Sequence, residues 1–483
     1  MNVKKGTFLS GLVAVVILAT GAFGIPGYGA VKEERRMERE SYPDGEKKSV
    51  KFFLNEQLEK TEEFFPKRHA HDRLKKEEFY VAGKLSKNKE YYEGGQLKSE
   101  GDYKYERLVS LKEYGENRKL KSETVYKDGK LHGPAMEYYE TGPLKNEKVY
   151  KHGELDGWVK GYYEKGRLKT EDAYRNGKRE GLAKEYYETG QLKSEKVYRD
   201  GKANGPSKDY YAMGQLEVEA TYLNGDLEGL LKGYYENRKL KVETVYKGGK
   251  QEGPTRQYYK AGPLKSEKVY KSGVLHGSVR EYYETEQLAV EASYMNGDLE
   301  GLLKRYYGNG KLKDEIVYRG GKEEGLAKEY YETGPLKNEK GYQNGKLNGL
   351  SREYYETGRL AAEATYANGA LNGLLKSYYE NGRLKDETDY AAGKLHGLAK
   401  EYYETGQLKS EAAYEEGKHH GLVREYYETG QLKNEKVYKD EKLDGLVKQY
   451  YEQGQLKSEA VYKNGELAGT VKEYEKSGSL KKS

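Results

Sequence analysis

Tyrosine and leucine recur along this chain on a fixed beat, with charged residues filling the spaces between them. Tyr402, Tyr403, Leu408 and Tyr414 are followed 24 residues later by Tyr426, Tyr427, Leu432 and Tyr438, and from Tyr138 to Glu473 the period holds through fourteen copies. Counting each copy from its first Tyr, the residues that never vary are Tyr at positions 1, 2 and 13, Leu at 7, Glu at 10 and Gly at 20. Position 23 is always Lys or Arg. Gly at 5 gives way only to Arg238 and Glu286, and Gly at 16 only to Glu441. A unit this small cannot bury its apolar residues alone, so the period implies a stack in which each unit packs on its neighbours.

Two turn signals divide each unit. One is Asn-Gly or Asp-Gly, as at Asn176-Gly177 and Asp200-Gly201, which supplies the positive φ angles of a two-residue hairpin turn. The other is Thr-Gly or Asn-Gly, as at Thr189-Gly190 and Asn381-Gly382. The stretches between, such as Leu182 to Glu188 and Leu192 to Arg199, have strand length and are too short for helices. If both turns hold two residues, Tyr187 faces Leu192, Lys184 faces Glu195, and Tyr198 covers Gly181. One sheet face then carries Gly181, Tyr187, Leu192 and Tyr198 and is expected to be packed. The other carries Leu182, Lys184, Tyr186, Glu195 and Val197. The expected fold class is all-β, an elongated solenoid of antiparallel hairpins growing by about 9.6 Å per unit. Pro143, Pro263 and Pro335 precede Leu, and Pro134, Pro206 and Pro254 follow the position-20 Gly, so their missing amides must fall at turns, edges or unpaired positions.

The first part of the chain departs from this pattern. Lys4 and Lys5 precede an apolar run from Phe8 to Ile25, the outline of an export signal, and residues 1–30 are expected to be a helical signal peptide or membrane anchor. Residues 31–41 read as a charged linker. Residues 42–113 read as degenerate repeats forming an N-terminal cap, residues 114–473 as the regular array, and 474–483 as a half-copy. Within the cap, Tyr42-Pro-Asp-Gly45 matches the repeat's Tyr-x-Asp-Gly turn, and Phe52-Phe53 takes the place of the tyrosine pair. The copy at Tyr91-Tyr92 is one residue short.

Charge and composition narrow the chemistry. Lys and Arg number 86 against 80 Asp and Glu, a net +6 with the signs interleaved, which argues against a nucleic-acid stripe. The chain has no Cys, which excludes disulfides, thiolate metal sites, cysteine nucleophiles and an N-terminal thiol-linked lipid. There is no phosphate loop, dinucleotide fingerprint or nucleophile elbow. His132, His276, His396 and His420 all occupy position 19 and read as a tolerant turn position, whereas His69 and His71 sit in the irregular cap. Trp158, the single Trp, replaces Leu182 and Leu230 of other copies and reads as core. No enzyme, catalytic residue, metal or cofactor is expected.

The pattern running from Gly397 through Tyr402, Tyr403, Gly406, Leu408, Glu411 and Tyr414 to Gly417 resembles the MORN-repeat variant of bacterial proteins. The resemblance covers nearly all of 114–483 and, loosely, 42–113. It implies a solenoid of antiparallel hairpins and a scaffolding or binding role, and members of the bacterial variant are often described as antitoxins of toxin and antitoxin pairs. The expected function is a non-enzymatic, exported repeat scaffold that binds a protein partner or a cell-envelope component multivalently. The alternatives are an antitoxin or immunity protein that sequesters a toxin, and a carbohydrate or cell-wall binding module. The candidate binding face is the row of first tyrosines, including Tyr186, Tyr282, Tyr330, Tyr402 and Tyr426, since aromatic rows can stack on sugars or bury against a partner. The expected location is periplasmic, cell-surface or secreted, with no nucleic acid bound and membrane contact only through residues 6–25.

Overall fold

The structure, a computed structural model, describes residues 14–18, 33–66 and 72–481. By its contacts the chain divides into two units, Met1–Arg238 and Lys239–Ser483. Within each unit, successive strands pair antiparallel with their neighbours in sequence, and no helix occurs among the described residues. In the first unit Gly181–Tyr186 pairs with Leu192–Arg199, which pairs with Lys202–Tyr210. In the second, Lys394–Tyr402, Leu408–Glu415 and Lys418–Tyr426 repeat the arrangement.

The Asp-Gly turn is as expected. Arg199 lies opposite Lys202, and Asp200 and Gly201 take φ values of 51° and 81°, the two positive angles a two-residue turn of this hand needs. The Thr-Gly turn differs. Tyr187 N–H donates to the Gln191 carbonyl at 2.9 Å and Gly190 N–H to the Tyr187 carbonyl at 2.8 Å, so the loop holds three residues, with Gly190 at φ 98°. Tyr186 rather than Tyr187 therefore lies opposite Leu192. Lys193 is then bulged, and the register returns to Lys184 opposite Glu195 and Gly181 opposite Tyr198. The extra loop residue and the bulge cancel, which is why the expected pairs beyond the loop hold although the expected loop is one residue too short.

The invariant Gly at position 20 sits in a second, wider bulge. Tyr198 faces Ala203 while Lys196 faces Ser207, so four steps on one strand match two on the other. Gly205 in this gap has φ 124°, and a Cβ there would lie 3.1 Å from Val197 Cβ. Pro206 occupies the same gap, so its missing amide leaves no ladder bond unmade on that side. The cap supplies a natural control. Around Tyr103 and Leu108 the register shifts by one residue instead of two, because this short copy lacks position 20. The same narrower bulge occurs at Phe53 and Leu58 and at Tyr80 and Leu85.

The cap copies are also phased half a unit from the sequence reading. Phe53 pairs with Leu58 across a two-residue turn at Asn55 and Glu56, so it stands where Tyr198 stands in the array. Phe64 opposite Leu74 is the true counterpart of Tyr186 opposite Leu192. Pro43 to Gly45 form the three-residue loop, with Gly45 N–H donating to the Tyr42 carbonyl. Both turns of the repeat read Tyr-x-x-Gly, so an isolated copy does not reveal which turn is which.

The expected N-terminal helix is absent from the part described. Ala14–Leu18 is a strand paired antiparallel with Arg35–Arg39. Val15, Val16 and Ile17 are β-branched and favour extended backbone, and Arg35–Ser41 offers an edge for it to pair with. The remainder of the expected signal or anchor, and both His69 and His71, lie outside the described residues.

Among the described residues of the array the deeply buried side chains are short and share one face, whereas the cap also buries Phe64 and Glu77. Ala220, Ala292, Ala364 and Ala460 at position 11, and Ala135, Val279, Ser207 and Ser351 at position 22, form this floor. The face is the one holding Gly181 and Tyr198, as expected, but Leu192 belongs to the other. Because the bulge depends on positive φ, Gly277→Ala (φ 123°, with Val269 Cβ 3.1 Å from the new methyl) should cost on the order of 1–3 kcal/mol in urea unfolding, whereas Glu286→Gly, which relieves a non-glycine at φ 73°, should stabilise by about 1 kcal/mol. Excision of Gly277 should still leave a β-sheet circular-dichroism spectrum, since three cap copies fold without this residue.

Candidate functional site

The face opposite the small-residue floor is built from three parallel rows. Position 1 Tyr lies opposite position 7 Leu, as in Tyr186 with Leu192, Tyr282 with Leu288, Tyr330 with Leu336, Tyr402 with Leu408 and Tyr426 with Leu432. Next comes the position-23 cation opposite position-10 Glu. The third row pairs position 21 with position 12, as in Leu182 with Val197 and Leu302 with Val317.

The charged row is a ladder. Arg424 reaches Glu411 on one side at 3.3 Å and Glu435 on the other at 2.9 Å, and Arg256 bridges Glu243 and Glu267 at 3.2 and 2.8 Å. The first Tyr of the pair joins it. Tyr426 Oη donates to Glu411 at 3.0 Å, Tyr330 to Glu315 at 3.2 Å and Tyr210 to Glu195 at 2.9 Å. Glu243 and Glu411 thus each receive a phenol from the next copy and a cation from a neighbouring strand. The hydrogen bond from Lys472 and then that from Tyr474 hold the Glu459 carboxyl below its ordinary range. Burial first, and the Glu195 carboxylate second, push the Tyr210 phenol up to about 12.

The five candidate tyrosines are all half-buried. Their partners in each pair are half-buried too, so the packing expected for the face of Tyr187 does not set that residue apart from Tyr186 in exposure. The two differ in bonding. Position-2 Tyr donates its hydroxyl to the main-chain carbonyl of position-1 Tyr in the next copy: Tyr403 to Tyr426 at 2.9 Å, Tyr379 to Tyr402 at 2.8 Å, Tyr163 to Tyr186 at 2.7 Å. One tyrosine of the pair therefore ties side chain to side chain between copies, and the other ties side chain to backbone.

Two features escaped the sequence reading. Position 19 is not merely tolerant: Asp156, Glu180 and Asn372 accept the N–H of Asn176, Asp200 and Ala392, twenty residues on in the next turn. His132 and His276 do the same through Nδ1, for His152 at 3.4 Å and Asn296 at 3.3 Å. What Asp, Glu, Asn and His share there is an acceptor at the right reach. Trp158 is 50% exposed and not core, because position 21 lies on the uncovered face. On the other face, His419 stands between the rings of Tyr414 and Tyr438, at 4.3 and 5.3 Å, in a groove of about 410 Å³. No cluster of side chains suited to a metal ion occurs among the described residues.

The family described as MORN repeat variant matches ten stretches of the chain: 86–105, 179–200, 203–224, 275–296, 299–319, 347–368, 371–392, 395–416, 420–440 and 443–464. No curated protein matches. Among solved structures, the chain is similar to the crystal structure of TcdB2-TccC3 without its hypervariable C-terminal region, at 10% identity and a TM-score of 0.14, and to that of TcdB2-TccC3, at 11% and 0.13. The alignments cover 91% and 93% of this chain but only 31% and 35% of those, about a third of their length. Scores of this size establish no common arrangement.

Tyr403→Phe, which leaves the Tyr426 carbonyl without its donor, should cost about 1 kcal/mol in denaturant unfolding. Alkaline pH should weaken the whole array. Position-1 phenols such as Tyr210, Tyr330 and Tyr426 have their pKa raised on folding, chiefly by burial and otherwise by Glu, so above pH 10 the unfolded chain releases protons that the folded chain keeps. Their contribution is full below about pH 10 and is lost as pH climbs through the raised values; urea midpoints measured at rising alkaline pH should fall together with the phenolate absorbance change.

Proposed function

We propose, from the premise that this chain is a MORN-repeat protein, that it is a non-enzymatic exported scaffold binding a protein partner or a cell-envelope component through many equivalent contacts. The observation that carries this reading is the sameness of the rungs. The Tyr–Leu row, the Glu–cation ladder and the row at position 21 return at the same register in hairpin after hairpin of each unit. A catalytic site needs one convergent cluster, whereas a surface that repeats suits weak contacts added together. Export is supported by Lys4 and Lys5 ahead of the apolar run Phe8 to Ile25.

The test is affinity capture from the native host with the full chain, followed by the same capture after whole repeats are removed. Deleting residues 306–401, four periods of 24, should preserve the β-sheet spectrum and shorten retention of the captured partner by tenfold or more, because avidity falls faster than the number of sites. Unchanged retention would mean a single site and sink the multivalent reading. Recovery of the chain only from the cytosolic fraction would sink export.

A further inference from the structure

In the unit Lys239–Ser483, the face bearing the ladder leaves a line of leucines uncovered. Leu302, Leu326, Leu350, Leu398 and Leu446, all at position 21, are between 37% and 45% exposed. Opposite them on the adjoining strands are Val317, Gly341, Thr365, Ala413 and Val461, of which Val317 and Val461 are themselves exposed. Single exposed leucines need no explanation, but a line of them on one face does. Beside the line runs the charged ladder, which alternates in sign at every strand from Glu243 opposite Arg256 to Glu459 opposite Lys472. Beyond the ladder comes the second apolar row, Tyr opposite Leu.

The occupant of this face must match its pitch and its charges. The leucines fall at intervals of two strands, about 9.6 Å, or a multiple of it, whereas a helix repeats every 5.4 Å and drifts out of step within a few rungs. A lipid surface would accept the leucines but leave the half-buried Glu and Lys side chains between them without water or partners. A second sheet of the same construction meets both demands. The order apolar, charged, apolar reads the same from either side, so a copy turned over places apolar rows on apolar rows and ladder on ladder. A slide of one strand, about 4.8 Å, then sets every Glu over a Lys or Arg.

We propose that this face is a self-association surface, which pairs with the same face of a second copy of this chain as two stacked sheets about 10 Å apart. Five residues of strand length and the two-strand pitch give about 160 Å² per rung, so five rungs supply about 800 Å² per copy, the size of a standard stable interface. The inference goes beyond the scaffold reading and does not depend on it.

Sedimentation velocity of the purified full chain should give twice the chain mass at micromolar concentration. The triple variant Leu326→Lys, Leu350→Lys and Leu398→Lys places like charges along the seam and should weaken association at least a hundredfold. Its circular-dichroism spectrum should be unchanged, because these side chains are not part of the buried floor. A control triple variant at exposed loop tips, Thr357→Lys, Thr405→Lys and Thr429→Lys, should remain dimeric. A monomeric full chain would overturn the proposal, as would a leucine variant that associates as tightly as the parent, the outcome expected if residues 8–25 carried the association. Equal weakening by the control variant would do the same. A monomer that still captures a host partner through these leucines would overturn the second copy as occupant while leaving the scaffold reading intact.

Discussion

Everything regular in this chain rests on a backbone conformation that only glycine adopts without strain. The position-20 Gly holds φ between 78° and 141° through the array, and in doing so it absorbs two extra residues against one neighbouring strand while staying in register with the other. Two is an even number, so residues on both sides of the bulge keep their faces. Gly445 shows a second reason for the invariance: a Cβ there would sit 2.9 Å from Val437 Cβ. Where open space surrounds the residue, as at Gly301 and Gly325, φ alone enforces it. The cap copies, which have dropped the residue and narrowed the bulge, show that glycine is demanded by the two-residue bulge and not by the strand pairing.

With register secured, stability has to come from the edges of each rung. No large side chain is fully buried among the described residues, and the deepest positions hold Ala, Ser and Thr. A single sheet with so thin a floor cannot draw on a conventional core. It relies on terms of a few tenths to about 1 kcal/mol each, repeated: cross-strand ion pairs, phenols bonded to Glu, phenols bonded to carbonyls, and position-19 acceptors on the next turn. This accounts for Tyr rather than Phe at positions 1 and 2 of the array. Phe would supply the ring but not the hydroxyl, and in this fold the hydroxyl carries the connection to the next copy.

Much of this was legible in the sequence because periodicity and strand alternation are local rules. Lys184 opposite Glu195 and Gly181 opposite Tyr198 follow from counting, and they stand in the structure. Tyr187 opposite Leu192 does not, because Thr189-Gly190 looks like a two-residue turn yet closes as a three-residue loop, and only the hydrogen bonds distinguish them. The phase of the cap was misjudged since Tyr-x-x-Gly serves both turns. The role of position 19 was hidden by its variety, although Glu180, Asp156, Asn372 and His276 share an acceptor atom. As for the candidate tyrosines, Tyr330 and Tyr426 were placed on the correct face beside the ladder, but nothing local could show that their hydroxyls were already engaged by Glu315 and Glu411.

Internal sameness separates two kinds of demand in such a chain. Four of the six positions that never vary, Tyr 1, Tyr 2, Glu 10 and Gly 20, bond from copy to copy or hold the bulge, so their constancy is explained inside the fold. Position 21 behaves differently. Pro254 and Ser278 occupy it without disturbing the register around them, so the rung itself does not require leucine there. Yet Leu302, Leu326, Leu350, Leu398 and Leu446 stand at that position, half-exposed, on the face that carries the ladder. An apolar preference that the fold does not enforce, held at the cost of exposing leucine to water, is what the proposed pairing with a second copy accounts for.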